Sequence, residues 1–190
     1  ITLAHSKNLV LTVGYQMRYD AGLQKIKDLL DKKAFGELIH VYAEYGQALQ
    51  DWHPLEDYHF GYTAYTGIIL EASHEINYVQ WLADSKVVEV KSMISKANPL
   101  GIPAESCADM LLRFENGVIA NIHLDMLQRN WERRSRVIME RGEIPWRYMS
   151  EKHEDCYMKE IQHFVACIEG KSQPLVTGED ALETLRVVLL

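Results

Sequence analysis

The apolar positions of this 190-residue chain change period several times, and each change marks an element. Residues 9–13 (LVLTV) form a continuous apolar run, the pattern of a strand covered on both faces. From Asp20 the spacing turns helical: Leu23, Ile26, Leu29 and Leu30 make one stripe, Asp20 can cap its start and Gly36 can stop it. Residues 37–46 (ELIHVYAEYG) alternate as a strand does, with Leu38, His40, Tyr42 and Glu44 against Ile39, Val41, Ala43 and Tyr45. The stretch 51–66 (DWHPLEDYHFGYTAYT) has no clean period and is rich in aromatics, as functional lids and interface loops are. Residues 67–83 (GIILEASHEINYVQWLA) are helical again, with Ile69, Ala72, Ile76, Val79 and Ala83 as the core stripe.

Three strand-like runs follow at 86–96, 106–115 and 118–127, the last two joined by Asn116-Gly117, a strong hairpin signal. Another strand is expected at 135–140 and a short one around Trp146. Two helices close the chain. The first, 154–170, carries Met158, Ile161, Phe164, Val165 and Ile168 on one stripe; the second, 178–190, has Thr177 or Asp180 as its cap and stops in mid-pattern. The whole predicts an α+β fold built on a large, mostly antiparallel sheet.

A net charge of −7 with scattered Lys and Arg argues against nucleic acid as a partner. The one basic cluster, ERRSR at 132–136, is interleaved with a strand and reads as a solvated sheet face or an interface. No apolar run has the length of a membrane span, so no membrane partner is expected and the reading is cytoplasmic. Cys107, Cys156 and Cys167 have neither the number nor the spacing of a disulfide framework or a zinc knuckle, and read as small buried hydrophobes.

The candidate chemistry lies in the helix at 67–83. At about 100° per residue His74 points away from the core stripe, onto a face shared with Leu70, Glu71, Asn77, Tyr78 and Trp81. That face is neither charged nor cleanly apolar, which suits a cleft. Histidine is the side chain best placed to exchange a proton near neutral pH, and a carboxylate at i−3 can orient its ring. The bland reading stays open beside this one: a partly buried histidine satisfied by a neighbouring carboxylate. A metal site would need more ligands than can be placed, even with His53 and His59 added, so none is expected.

Taken in order, VGYQMRYDAGLQKIKDLL, FGELIHVYAEYGQ, GIILEASHEINYVQWL, a hairpin and PLVTGEDALETLRV resemble the second half of the Gfo/Idh/MocA oxidoreductases, over essentially the whole chain. The resemblance implies a C-terminal α+β domain, with helices on one face of its sheet and a homo-oligomer interface, in a dimer or tetramer, on the other. It implies an N-terminal Rossmann domain holding NAD or NADP that is missing here. Residues 1–18 would then be the last helix and strand of that domain, and 19–190 the substrate and oligomerisation domain. His74 falls on the family's proton-exchanging histidine and Glu71 on the acidic position before it. Gln16 and Arg18 fall on the segment entering the cleft, near substrate or nicotinamide. Beyond the resemblance, Arg18, Tyr62, Tyr65 and Asn77 are the expected contacts to a sugar or polyol, with interface packing equally open for the two tyrosines.

The sequence also departs from the family. No two of the eleven glycines are two residues apart, so the G-x-G phosphate loop cannot be written. No Lys-Pro pair occurs, Asn77 stands where an aspartate is frequent, and the glycine run before the helix is reduced to Gly67. The expected function is therefore the substrate half of an NAD(P)-dependent dehydrogenase, with no cofactor bound and no activity in this chain alone. The alternative is a stand-alone, non-catalytic module that binds sugar or serves assembly.

Overall fold

The computed structural model describes residues 1–51, 67–95, 99–149 and 153–190. Its helices are α1 (Thr2–Ser6), α2 (Ala21–Asp31), α3 (Ile68–Glu71), α4 (Ser73–Ala83), α5 (His153–Ile168) and α6 (Gly178–Val188), with 3-10 turns at Gln16–Tyr19 and Leu49–Asp51. Its strands are β1 (Leu38–Gly46), β2 (Val87–Ile94), β3 (Cys107–Phe114), β4 (Ile119–Asp125), β5 (Glu132–Met139) and β6 (Gly142–Arg147). They form one sheet in the order β2-β3-β4-β1-β5-β6. Every neighbouring pair is antiparallel except β1 with β4, so the sheet is mostly antiparallel, as expected.

One face of the sheet is the core. Val41, Ala43 and Tyr45 from β1 are buried with Met110, Leu112, Ile122, Leu124 and Val137, under Ile76, Val79 and Leu82 from α4. The opposite face presents Tyr42, Leu111, Ile119 and Arg136 to the outside. The expected alternation of β1 is therefore real, except that a bulge between Leu38 and His40 leaves Ile39 exposed. At the β3–β4 connection Gly117 takes a positive φ of 87°, and its N–H donates to Phe114 O at 3.0 Å. Asn116 keeps a negative φ, so the turn is a type I turn closed by a glycine in the left-handed region. The Asn116 amide also donates to Ala83 O at 3.0 Å, fastening the hairpin to the end of α4.

Four expectations need correction. Residues 9–13 form no strand: no described strand pairs with them, Thr12 donates its hydroxyl to Val176 O at 2.8 Å, and Leu9 is exposed. An apolar run supplies the propensity but not the neighbours that a ladder requires. The helix at 67–83 is two helices, broken at Ala72, whose φ of −95° and ψ of 25° interrupt the turn. Tyr78, one turn after His74 and expected on the same cleft face, is instead fully buried, bonded to Ser135 at 2.7 Å and packed edge-on to Trp146. Finally, Met158, Ile161, Val165 and Ile168 of α5 are exposed, while Cys156 and Cys167 face the interior. The cysteine reading thus holds for those two; Cys107 is half-buried.

The caps follow the sequence. The Asp20 carboxylate accepts from Leu23 N at 2.9 Å and from Trp146 Nε1 at 2.9 Å, tying α2 to β6. Thr177 caps α6, and Asp180 returns a bond to Thr177 N at 3.0 Å, so the two candidate caps form one capping box.

Candidate active site

Among the described residues, three segments meet around His74: the irregular stretch before Gln16, the α3–α4 break and the start of α4. Gly67 opens α3 because the Glu105 carboxylate lies where a Cβ would be, at 2.1 Å. From there Glu105 Oε1 accepts from Ile69 N at 3.2 Å, placing a carboxylate at the start of α3. The one glycine left before this helix is thus the position where the backbone must pass closely.

His74 sits half-buried in the first turn of α4. The Tyr15 ring meets it edge-on with centroids 5.4 Å apart, and the Tyr15 hydroxyl donates to Ser73 Oγ at 3.4 Å. Glu71 is exposed on α3, across the break at Ala72.

Arg18 and Asn77 are brought together directly. Arg18 Nε donates to Asn77 Oδ1 at 2.8 Å and Nη1 to Leu175 O at 3.0 Å, with Asp180 3.5 Å away. Asn77 Nδ2 in turn donates to Thr184 Oγ1 at 2.9 Å, and Thr184 donates to Gln80 at 2.9 Å. Burial lowers the Arg18 guanidinium from its ordinary value, against the pull of Asp180. Both Arg18 and Asn77 are nearly inaccessible, at 4% and 1% exposure, so they join the 3-10 turn, α4 and α6 from inside. Asn77 suits this position because an amide gives and accepts at once, where a carboxylate could only accept. Gln16, also buried, donates to the Tyr157 hydroxyl at 3.1 Å. Tyr62, Tyr65, His53 and His59 lie outside the described residues.

Beneath His74 is a pair that the sequence reading passed over. Glu75, completely buried, lies 2.7 Å from Arg133 Nε, and the guanidinium sits over the Tyr45 ring at 4.5 Å and near Tyr148 at 5.8 Å. Burial pushes the Glu75 carboxyl up, and the guanidinium opposes that push. Arg133 therefore faces the core, and only Arg134 and Arg136 of the basic cluster lie on the open face. The signal was present: Glu75 has Ala72, Tyr78, Val79 and Leu82 as its helical neighbours, an apolar setting in which a carboxylate needs a partner.

Among the described residues no group of three or more His, Cys, Asp or Glu side chains could hold a metal ion. Nor is any described helix long and apolar enough to cross a membrane.

The family model of the GFO/IDH/MocA C-terminal domain matches residues 23–145, more than half of the chain, and the chain belongs to that family. His74, Glu71 and Asn77 lie inside the matched region; Gln16 and Arg18 lie before it. The chain is 25% identical over 114 residues to the 1-carboxy-3-chloro-3,4-dihydroxycyclohexa-1,5-diene dehydrogenase of Comamonas testosteroni, covering 59% of this chain and 28% of that protein. Its fold is shared with a myo-inositol 2-dehydrogenase of Lactobacillus plantarum (TM-score 0.85, 16% identity, 98% of this chain and 63% of that one). It is shared as well with a scyllo-inositol dehydrogenase of Lactobacillus casei solved with NAD(H) and scyllo-inositol (TM-score 0.83, 17% identity, 98% and 63%). The chain thus spans less than two thirds of the length of each of these proteins.

Proposed function

We propose that this domain is the substrate side of an NAD(P)-dependent oxidoreductase that acts on a hydroxyl of a sugar, sugar derivative or polyol. His74 exchanges the hydroxyl proton in this reading. The observation that carries it is the placement of His74: half-buried, edge-on to Tyr15, at the head of a helix whose other side is core. The family membership and the names of the matched dehydrogenases support the same chemistry.

The residues of this chain do not fit a whole dinucleotide, since no G-x-G loop can be written to hold its phosphates. A second, Rossmann-type domain holds it in our reading, with residues 1–18 as the junction and 19–190 as the substrate domain. When bound, the nicotinamide supplies hydride transfer. This chain contributes the rest. His74 gives or takes the proton, Glu71 is the nearby carboxylate that biases it, Tyr62 and Tyr65 are the proposed contacts to substrate, and Gln16, buried and bonded to Tyr157, supports the turn from inside. Arg18 and Asn77 serve from beneath by fixing the 3-10 turn against α4.

In the intact enzyme, His74→Ala should lower turnover by about 10²-fold or more, with the fold kept. Full activity in that variant, measured with a panel of inositols and sugars and either nicotinamide cofactor, would reject the reading. If this exact chain binds a sugar without nicotinamide, the stand-alone module replaces it.

The open sheet face is the proposed interface between copies, as a dimer or tetramer. Tyr42, Leu111, Ile119, Val88 and Met93 are all exposed there or on the adjoining edge strand. Sedimentation at micromolar concentration checks this, and a purely monomeric chain sinks it.

A further inference from the structure

We propose that the buried Glu75–Arg133 ion pair is a positioning device for His74, fixing the imidazole against Tyr15 by anchoring the first turn of α4 to strand β5. The inference rests on the reading of His74 given above.

Three observations carry it. The first is that the cap position of α4 supplies no side-chain bond: Ala72 occupies it, and the chain is broken there from α3. A helix start normally draws such a bond from Ser, Thr, Asp or Asn. The residue next to His74 instead reaches across to the sheet, with Arg133 Nε 2.7 Å and Nη2 3.4 Å from the Glu75 carboxylate.

The second is that the far end of the anchor is itself immobilised. Arg133 lies over Tyr45, approaches Tyr148, and donates from Nη1 to the Met17 sulfur at 3.4 Å. Met17 belongs to the 3-10 turn directly after Tyr15, so one guanidinium touches the supports of both rings of the Tyr15–His74 contact. The titratable groups packed around the pair are Tyr45, Tyr78 and Tyr148. Burial raises all three, Tyr45 to about 12, so they stay neutral at working pH and add no charge beside the pair.

The third is energetic. An ion pair in a core is commonly no more stabilising than apolar side chains of the same volume, and its best-attested use is to specify one arrangement among several. A pair placed one residue from the candidate proton carrier therefore has orientation, more than stability, as its effect.

The test separates the two. In this chain the carbon-bound ring protons of His74, assigned by their loss in His74→Gln, carry a ring-current shift from Tyr15. The charge-balanced double variant Glu75→Met/Arg133→Met should keep the melting temperature within a few degrees yet move these signals toward those of an unstacked imidazole. In the intact enzyme the same variant should lose up to about 10²-fold in kcat with KM little changed, as expected when a reacting group is misplaced by about an ångström. A double variant that melts like the wild type and keeps both its His74 signals and its kcat overturns the proposal. Should the double variant not fold, Arg133→Lys replaces it, keeping the charge but losing the planar fork. Unchanged His74 signals and kcat in that folded variant are equally fatal. Failure of the underlying functional reading looks different: His74→Ala would then retain turnover, whatever the Glu75 and Arg133 variants do.

Discussion

Arg133 and Arg134 are neighbours on β5, and each lies 2.7 Å from a glutamate oxygen, yet they sit on opposite faces of the sheet. Arg133 and its partner Glu75 have side chains 8% and 0% exposed; Arg134 and Glu44 are 59% and 23% exposed. Equal distance does not mean equal consequence. Water screens the outer pair and would solvate either member if the other were lost, whereas the inner pair has nothing else to neutralise it. The two faces thus teach that burial, rather than contact, decides what an ion pair does in this domain.

The largest effect should come from breaking the inner pair on one side only. Arg133→Met leaves a buried carboxylate alone and is expected to cost about 3–5 kcal/mol in urea unfolding. A loss below about 1 kcal/mol would erase the contrast between the faces. Next comes Asp20→Ala, which removes the cap of α2 and the acceptor of Trp146 Nε1 together. It should cost about 1–2 kcal/mol by thermal melting, and no change at all would show that water replaces both bonds.

On the outer face, His123 lies between Asp109 at 2.8 Å and Asp125 at 3.2 Å, and bonding to Asp125, against partial desolvation and with help from Asp109, raises the imidazole from 6.5 to about 9. The folded state therefore keeps a proton that the unfolded chain loses near 6.5. The stabilisation is complete below that pH and is lost as pH rises toward about 9. Solvent at this half-open site reduces its size. An NMR titration of His123 reads the midpoint directly, and Asp109→Asn should lower it; an ordinary midpoint in the wild type would remove the effect. The smallest change is expected for Arg134→Gln, at most about 1 kcal/mol and vanishing in high salt. A salt-independent loss there would mean that the outer face is covered.

The contrast also shows what could be read in advance. Helix α2, strand β1, the Asn116-Gly117 hairpin and the Thr177–Asp180 box each declare themselves through neighbours in sequence, and each formed. The position of His74 away from the Ile69–Ala83 stripe was legible for the same reason. The apolar neighbours of Glu75 called for some partner, but Arg133 as that partner was not legible, because the two are 58 residues apart and only the packed sheet brings them together. Arg133 was hidden further by its polar neighbours: a period-two strand buries every second residue of a basic run. Residues 9–13 and the α5 stripe misled in the opposite sense. Their apolar pattern describes a surface suited to burial without saying what buries it, and in this chain Leu9, Ile161 and Ile168 remain exposed.

Strand β1 is the earliest strand in the chain, yet it stands in the middle of the sheet, parallel to β4 on one side and antiparallel to β5 on the other. Both pairings span long stretches of sequence, His40 with Ile119 and Tyr42 with Arg136, whereas β3–β4 and β5–β6 are local hairpins. Hairpins form on a timescale of about microseconds, and long-range pairings must first meet the entropy of closing the chain. Two preformed ribbons should therefore wait for β1 to zip between them, which makes β1 the rate-limiting strand of folding. Pulse-labelled hydrogen exchange would show this as protection of the β3–β4 amides before those of β1. The strand of this sheet that comes first in the chain is then the one that locks it last.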